Sequence, residues 1–227
     1  MRNARSARSS RYAMRWCGRA RRYVAIIKAS VRREGLRIPS GDAEHTVTRL
    51  LALPLPAHVF EALAPFDRAV GALQTELEAA DERLSALATA NTAITRLRTM
   101  PSIGPVTALA FVASLDDVER FHSAHQVQEY LGLVPSEYSS GDRRLRGRIT
   151  KRGDARMRWL LVEAAWRILR SPNPELAALK AWGQQIAERR GKRIATVAVA
   201  RRVAGILYAM WRDDVDYAAS TVRAVAA

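Results

Sequence analysis

The sequence predicts a mainly helical, all-α protein, and three observations carry that reading. Aromatics make up only 7% of the 227 residues while alanine and leucine abound, runs of Val, Ile, Thr or aromatics at period two are few, and apolar residues recur at spacings of three and four. A chain of this length can bury one or two cores.

Taken in order, residues 1–20 form a basic tail with too few apolar side chains to offset ordering entropy, and disorder is expected there. Residues 21–60 read as a basic helical linker. Its first helix starts at Arg21, sets Tyr23, Ile26, Ile27 and Val31 on one face, and stops where Gly35, Pro39 and Gly41 interrupt it. A second helical piece over 42–60 is broken at LPLP by Pro54 and Pro56.

Residues 61–99 are expected to form a coiled-coil helix. Phe66, Val70, Leu73, Leu77, Ala80, Leu84, Leu87, Asn91 and Ile94 step by four and three, a heptad seam with charged residues between. The same pattern suits a single long helix packed on its own domain or an antiparallel pair, and Asn91 is placed to fix register.

A compact domain is expected over 100–213. Pro101, Gly104 and Pro105 end one helix and open another, with no acid until Asp116. That layout is helix, glycine hairpin, helix. It suits a phosphate-binding helix-hairpin-helix with Gly104 in the turn, and equally a plain αα turn. A short helix, SAHQVQEYLGL, precedes Pro135, which opens a basic Ser-Gly loop. Asp154 caps an amphipathic helix to Arg170 through Met157, Leu160, Leu161, Ala164, Ala165, Ile168 and Leu169. SPNPE ends it, a last helix runs over about 192–212, and a frayed tail is expected over 214–227.

Charge narrows the function. Lys and Arg number 37 against 22 acids, a formal +15, and residues 1–37 hold eleven arginines and Lys28 against Glu34 alone. A polyanionic partner follows, and the planar guanidinium favours nucleic acid over a membrane surface. The single cysteine, Cys17, excludes an intrachain disulfide, and His45, His58, His122 and His125 show no metal spacing. The longest apolar runs, ALAFVASL and IATVAVA, are too short to cross a bilayer, so no membrane partner is expected. The first thirty residues share the composition of a mitochondrial presequence but lack a secretory core. Cytoplasm is the expected compartment.

The stretch YSSGDRRLRGRITKRGD at 138–154 concentrates the chemistry. A serine attacking a phosphodiester needs an exposed turn, cations for the phosphoryl oxygens and a proton acceptor. The turn is SSG, and the cations are Arg143, Arg144, Arg146, Arg148, Lys151 and Arg152. No histidine or paired carboxylate lies in the loop. On residues alone SSG is also an ordinary turn, and the arginines are a phosphate-contact surface. Trp159 and Trp166 read as core residues, and Tyr138 as either core or base contact.

IGPVTA, YLGLVP, the serine-glycine loop and GRITKRGD form an unbroken series. It resembles the C-terminal domain of insertion-sequence transposases of the IS110 (IS116/IS902) family, and the likeness extends over roughly residues 20–210. The resemblance implies DNA transposition by serine-mediated strand exchange. Ser140 would be the nucleophile, followed by Gly141, and Arg143, Arg144, Arg146 and Arg148 would hold the scissile backbone or a structured guide RNA. DNA is the implied partner, with a homo-oligomer formed through the heptad helix. The family also has an RNase H-like domain whose acids bind magnesium; before Gly41 this chain offers only Glu34. No cofactor is therefore expected on this chain itself, which reads as a truncated member or a fragment. A non-catalytic DNA- and RNA-binding, dimerising remnant is the rival reading. Ser102 stands where the family's hairpin usually has glycine, and is expected at negative φ.

Overall fold

The structure is a computed structural model that describes residues 22–39, 46–140 and 143–218, with the backbone alone at residues 47, 138–140 and 143–146. The mainly helical class is observed: among these residues nine α-helices and one short 3-10 turn accompany a single two-stranded sheet. The described chain falls into two compact units, the first ending at Ala86 and the second beginning at Leu87.

In the first unit, α1 covers residues 22–33. It buries Val24, Ile27 and Val31, steps of three and four that make one helical stripe. Ile26, placed on that stripe from the sequence, is instead 41% exposed, because its neighbour Ile27 takes the inward direction. The helix ends as a Schellman motif: Leu36 N–H donates to the Val31 carbonyl at 3.2 Å and Gly35 N–H to that of Arg32 at 3.1 Å. Helix α2, Thr46–Leu51, and the start of α3, Ala57–Thr89, complete this core with Leu50, Val59, Leu63 and Val70. Tyr23 packs at a tilt on Phe66, ring centroids 6.0 Å apart.

Helix α3 runs 33 residues and continues through Pro65. The expected seam is only partly buried: Val70 and Leu84 are covered, Leu73 and Leu77 are half-buried, and Leu87 is exposed. Its far end differs from the heptad reading. The helix stops at Thr89, and Asn91 is the N-cap of α4, Thr92–Leu97, its Oδ1 accepting from Ile94 N–H at 3.3 Å. Asn91 therefore spends its side chain on a helix start, and Ile94 belongs to the next element.

In the second unit α4 is followed by α5, Pro105–Leu115, α6, Ala124–Tyr130, strands β1, Pro135–Ser140, and β2, Arg143–Ile149, then α7, Ala155–Arg170, α8, Ala177–Arg190, and α9, Lys192–Arg212. Helix α9 is the centre, packed by α8, α7, α6 and α4. Its run from Val203 to Met210 is buried without a break, and Tyr208 donates its hydroxyl to the Phe121 carbonyl at 2.5 Å, which satisfies a polar group that burial would otherwise leave bare. By length and composition α9 could cross a bilayer, yet 67% of its apolar window is buried inside this unit, as in a core helix. After α9, Tyr217 N–H donates to Thr99 Oγ1 at 2.8 Å and Arg96 pairs with Asp214, so the chain at 214–218 lies against the start of the unit.

Candidate functional site

The stretch read as a basic loop is a β-hairpin. Pairing is antiparallel, Ser140 with Arg143, Ser139 with Arg144, Tyr138 with Leu145 and Glu137 with Arg146, then shifts by one before Pro135 meets Ile149. Gly147 and Arg148 thus oppose Ser136 in a bulge, and the Ser136 hydroxyl donates to the Arg148 carbonyl at 2.9 Å. A Cβ on Gly147 would stand 2.5 Å from that hydroxyl.

The hairpin's foot is fastened to the core. Leu131, Leu133 and Val134 are buried just before β1. Lys151 N–H donates to the Gly132 carbonyl at 3.1 Å and Thr150 N–H to that of Val134 at 2.9 Å. Gly132 (φ +68°) and Gly153 (φ +80°) lie where the two segments cross, and a Cβ on Gly153 would overlap the Tyr130 carbonyl oxygen, one on Gly132 that of Arg152. Only glycine combines that backbone with that approach. Arg158 of α7 closes the junction: its Nη1 reaches the carbonyls of Arg152, Leu131 and Gly153 at 2.8, 3.0 and 3.2 Å.

Asp154 caps α7 as expected, Oδ1 accepting from Arg156 and Met157 N–H at 2.8 and 3.2 Å, while Oδ2 accepts from the Ser114 hydroxyl at 2.7 Å. Burial works to raise its pKa and is outweighed. The Ser114 bond, the two N–H bonds and the Arg156 charge together hold it below the ordinary carboxylate value. Both oxygens are thereby committed to structure.

The turn between α4 and α5 is the second place of interest. Gly104 is the N-cap of α5 at φ −87°, with Pro105 following and no side chain capping the first-turn N–H groups. Nothing stands within 4 Å of a Cβ added there, so the fold itself does not demand glycine at 104. Ser102, expected at negative φ, has φ +75°: the turn bends through it, and a side chain is carried in a left-handed conformation. Beside it a cavity of about 360 Å³ is lined by Ser102, Glu163, Trp166, Arg167, Arg170 and Ser171. The Arg170 guanidinium lies 5.2 Å from the Trp166 ring centroid. Trp166 is half-buried, but Trp159, read as core, is 45% exposed, because it falls beside the α7 stripe and not on it.

The sequence-read site residues are thus distributed as follows. Ser140, Arg143, Arg144 and Arg146 have described backbone at the hairpin's end, their side chains lie outside the described residues, and so does Gly141 altogether. Arg148, Lys151 and Arg152 are exposed near the hairpin's foot. Gly104 belongs to the separate α4–α5 turn. Sequence reasoning missed Arg158, Ser114 and the Gly132–Gly153 crossing; the two glycines were visible in YLGLVP and TKRGD, whereas nothing local marks Arg158. Among the described residues no group of three or more His, Cys, Asp or Glu is arranged to hold a metal ion. These residues do not fit the magnesium that the family resemblance implies.

The helical unit that carries the basic hairpin and the glycine-proline turn is the part of the chain that a known family matches. Residues 94–181 match the family described as "Transposase IS116/IS110/IS902 family". It is 36% identical over 130 residues to the transposase for insertion sequence element IS1111A of Coxiella burnetii, covering 57% of this chain and 36% of that protein. It is 31% identical over 172 residues to a probable family 20 transposase of Pseudomonas aeruginosa, covering 76% and 51%. The transposase for insertion sequence element IS1328 of Yersinia enterocolitica is 28% identical over 178 residues, covering 77% and 53%. The chain spans between about a third and a half of the length of these relatives.

Proposed function

We propose that this chain acts in DNA transposition, with Ser140 as the nucleophile of strand exchange and the hairpin arginines as its phosphate contacts. The observation that carries the reading is the register: Ser140 and Arg143 are the last paired positions of a hairpin whose other end is welded to the core. Cross-strand partners of this kind stand about 5 Å apart between Cα atoms. Position 143, an arginine, is thus the backbone neighbour of position 140 across the hairpin. The Ser140 oxygen attacks phosphorus, one P–O bond to the sugar breaks, and the departing alkoxide takes a proton from water to leave as a hydroxyl. The serine's own proton goes to a base outside the hairpin. Arg143, Arg144, Arg146 and Arg148 contact the phosphates of the bound backbone along the hairpin. Lys151 and Arg152 extend the same contact, to DNA or to a structured guide RNA. Gly104 leaves open the first turn of α5, whose N–H groups suit a backbone phosphate.

Any metal acids come from another segment or another chain. The half-buried Leu73 and Leu77 and exposed Leu87 on α3 support self-association through that helix. The work is assigned to the cytoplasm, a reducing compartment that suits a chain with the single cysteine Cys17. The rival reading is a remnant that binds nucleic acid without chemistry. The test is to incubate the protein, alone and mixed with a full-length relative, with DNA ending in the element's terminus and to look for a covalent protein–DNA adduct. Ser140→Ala should abolish it. An adduct that survives the substitution removes Ser140 from the role, and salt-sensitive binding with no adduct under either condition favours the remnant.

A further inference from the structure

A groove of about 950 Å³ opens between the foot of the hairpin and the α8–α9 corner, away from Ser140. Six cations line it: Arg148 and Lys151 from the hairpin side, Arg189 and Arg190 from the end of α8, Arg193 and Arg201 from α9. No acid is among the lining residues. Only part of this crowding has a structural return. Arg189 and Arg190 complement the C-terminal dipole of α8, but Lys192 and Arg193 open α9, where the helix dipole repels them, and no acid lies in that first turn. Gly191 caps α9 without a side chain, so its first-turn N–H groups add to the positive end.

Between the cations the surface is apolar. Pro135, Ile149, Trp182, Ile186, Ile194 and Val197 line the same groove, and Ile194 is 47% exposed in the midst of arginines. The Arg202 guanidinium stands 4.6 Å from the Trp182 ring centroid, which fixes the indole in place. A duplex presents sugar and phosphate to a surface and keeps its base faces stacked inside. An unpaired strand offers phosphates and bare base faces together, and cations around an aromatic and aliphatic floor are what such a strand needs.

We propose that this groove binds an unpaired stretch of nucleic acid, phosphates on the arginines and a base against Trp182. Pro135 and Ile149 are paired at the hairpin's foot, and Ser140 is five residues along β1 from Pro135, about 16 Å at strand rise. A strand seated here is delivered along the hairpin toward the serine. The inference rests on the nucleic-acid reading above and adds the single-stranded form and the place.

The experiment uses the whole chain with fluorescein-labelled dT12, U12 and a 12-base-pair duplex, read by anisotropy over a salt series. The single strands should bind more tightly than the duplex. Arg189→Ala with Arg193→Ala should flatten the salt slope by about 1.4, roughly 0.7 for each phosphate no longer neutralised. Trp182→Leu should weaken single-strand binding about tenfold and leave the slope unchanged. Because Trp182 is half-buried, 5-bromouracil-substituted oligonucleotides are also photocrosslinked to the unaltered protein, with adducts expected within residues 177–198. Tighter binding of dT12 or of U12 identifies the source of the strand, and either supports the site. Single-strand binding that ignores all three substitutions, with adducts elsewhere, overturns the groove and leaves the transposition reading standing. A duplex bound as tightly as the single strands overturns it too. No binding of any nucleic acid overturns both.

Discussion

Replacing Gly153 by alanine tests whether the hairpin's foot is a rigid junction. At φ +80° an alanine carries about 1–2 kcal/mol of backbone penalty. Its Cβ would overlap the Tyr130 carbonyl oxygen, so the segment through Gly153 must move away from the end of α6. That movement strains the Lys151–Gly132 hydrogen bond, worth about 1 kcal/mol, and one charge-assisted bond from Arg158, worth about 1.5–3 kcal/mol. The total is about 3.5–6 kcal/mol, which for a unit of this size lowers Tm by about 10–20 °C. Thermal unfolding followed by circular dichroism measures it, with Gly104→Ala alongside. Gly104 has φ −87° and open space at its Cβ, so that variant should lose no more than about 0.5 kcal/mol, the value of a weaker N-cap. If the two alanine variants melt together, within about 3 °C of the unaltered protein, the crossing does not bind the hairpin to the core.

Three further outcomes are expected. Ser102→Gly should stabilise by about 0.5–1 kcal/mol, the relief of a positive φ less the entropy of glycine in the unfolded chain, seen as a higher urea midpoint at unchanged slope. Asp154 has its folded pKa below the unfolded value, so its charge contributes stability that is fully present above about pH 4 and is lost as pH falls through the lower folded value; Asp154→Asn should flatten the acid limb of a stability–pH curve in that window. Tyr208→Phe removes the buried hydroxyl bond to the Phe121 carbonyl and should cost about 1–3 kcal/mol in chemical denaturation, with nucleic-acid affinity unchanged in the protein that remains folded.

Much of the helical frame was legible because it is written locally. The stripe from Met157 to Ile168, its cap Asp154 and the span of α9 follow from periodicity and punctuation alone. The heptad count misled at one point because Leu87, Asn91 and Ile94 keep the spacing of four and three across a helix break, and spacing carries no information on whether Asn91 faces a seam or caps a helix. Trp159 lay off the stripe that its own helix displays. The hairpin was harder. RRLRGRI lacks the alternation that marks a half-buried strand, and it pairs only because residues 135–140 are carried to it from the buried Leu133 and Val134. The φ of Ser102 and the reach of Arg158 depend on contacts made far along the chain, which no window of sequence contains. Ser140 itself was legible through family resemblance, its position at the end of a paired strand only through the backbone.

The central place of α9 bears on how this protein can be cut. The span that matches the transposase family stops at 181, short of Lys192, where the helix that α4, α6 and α7 enclose begins. A polypeptide trimmed to the matched span would bare the faces that Tyr208 and its neighbours cover, and should be recovered as aggregate. Soluble expression of the catalytic candidate needs a boundary beyond Arg212.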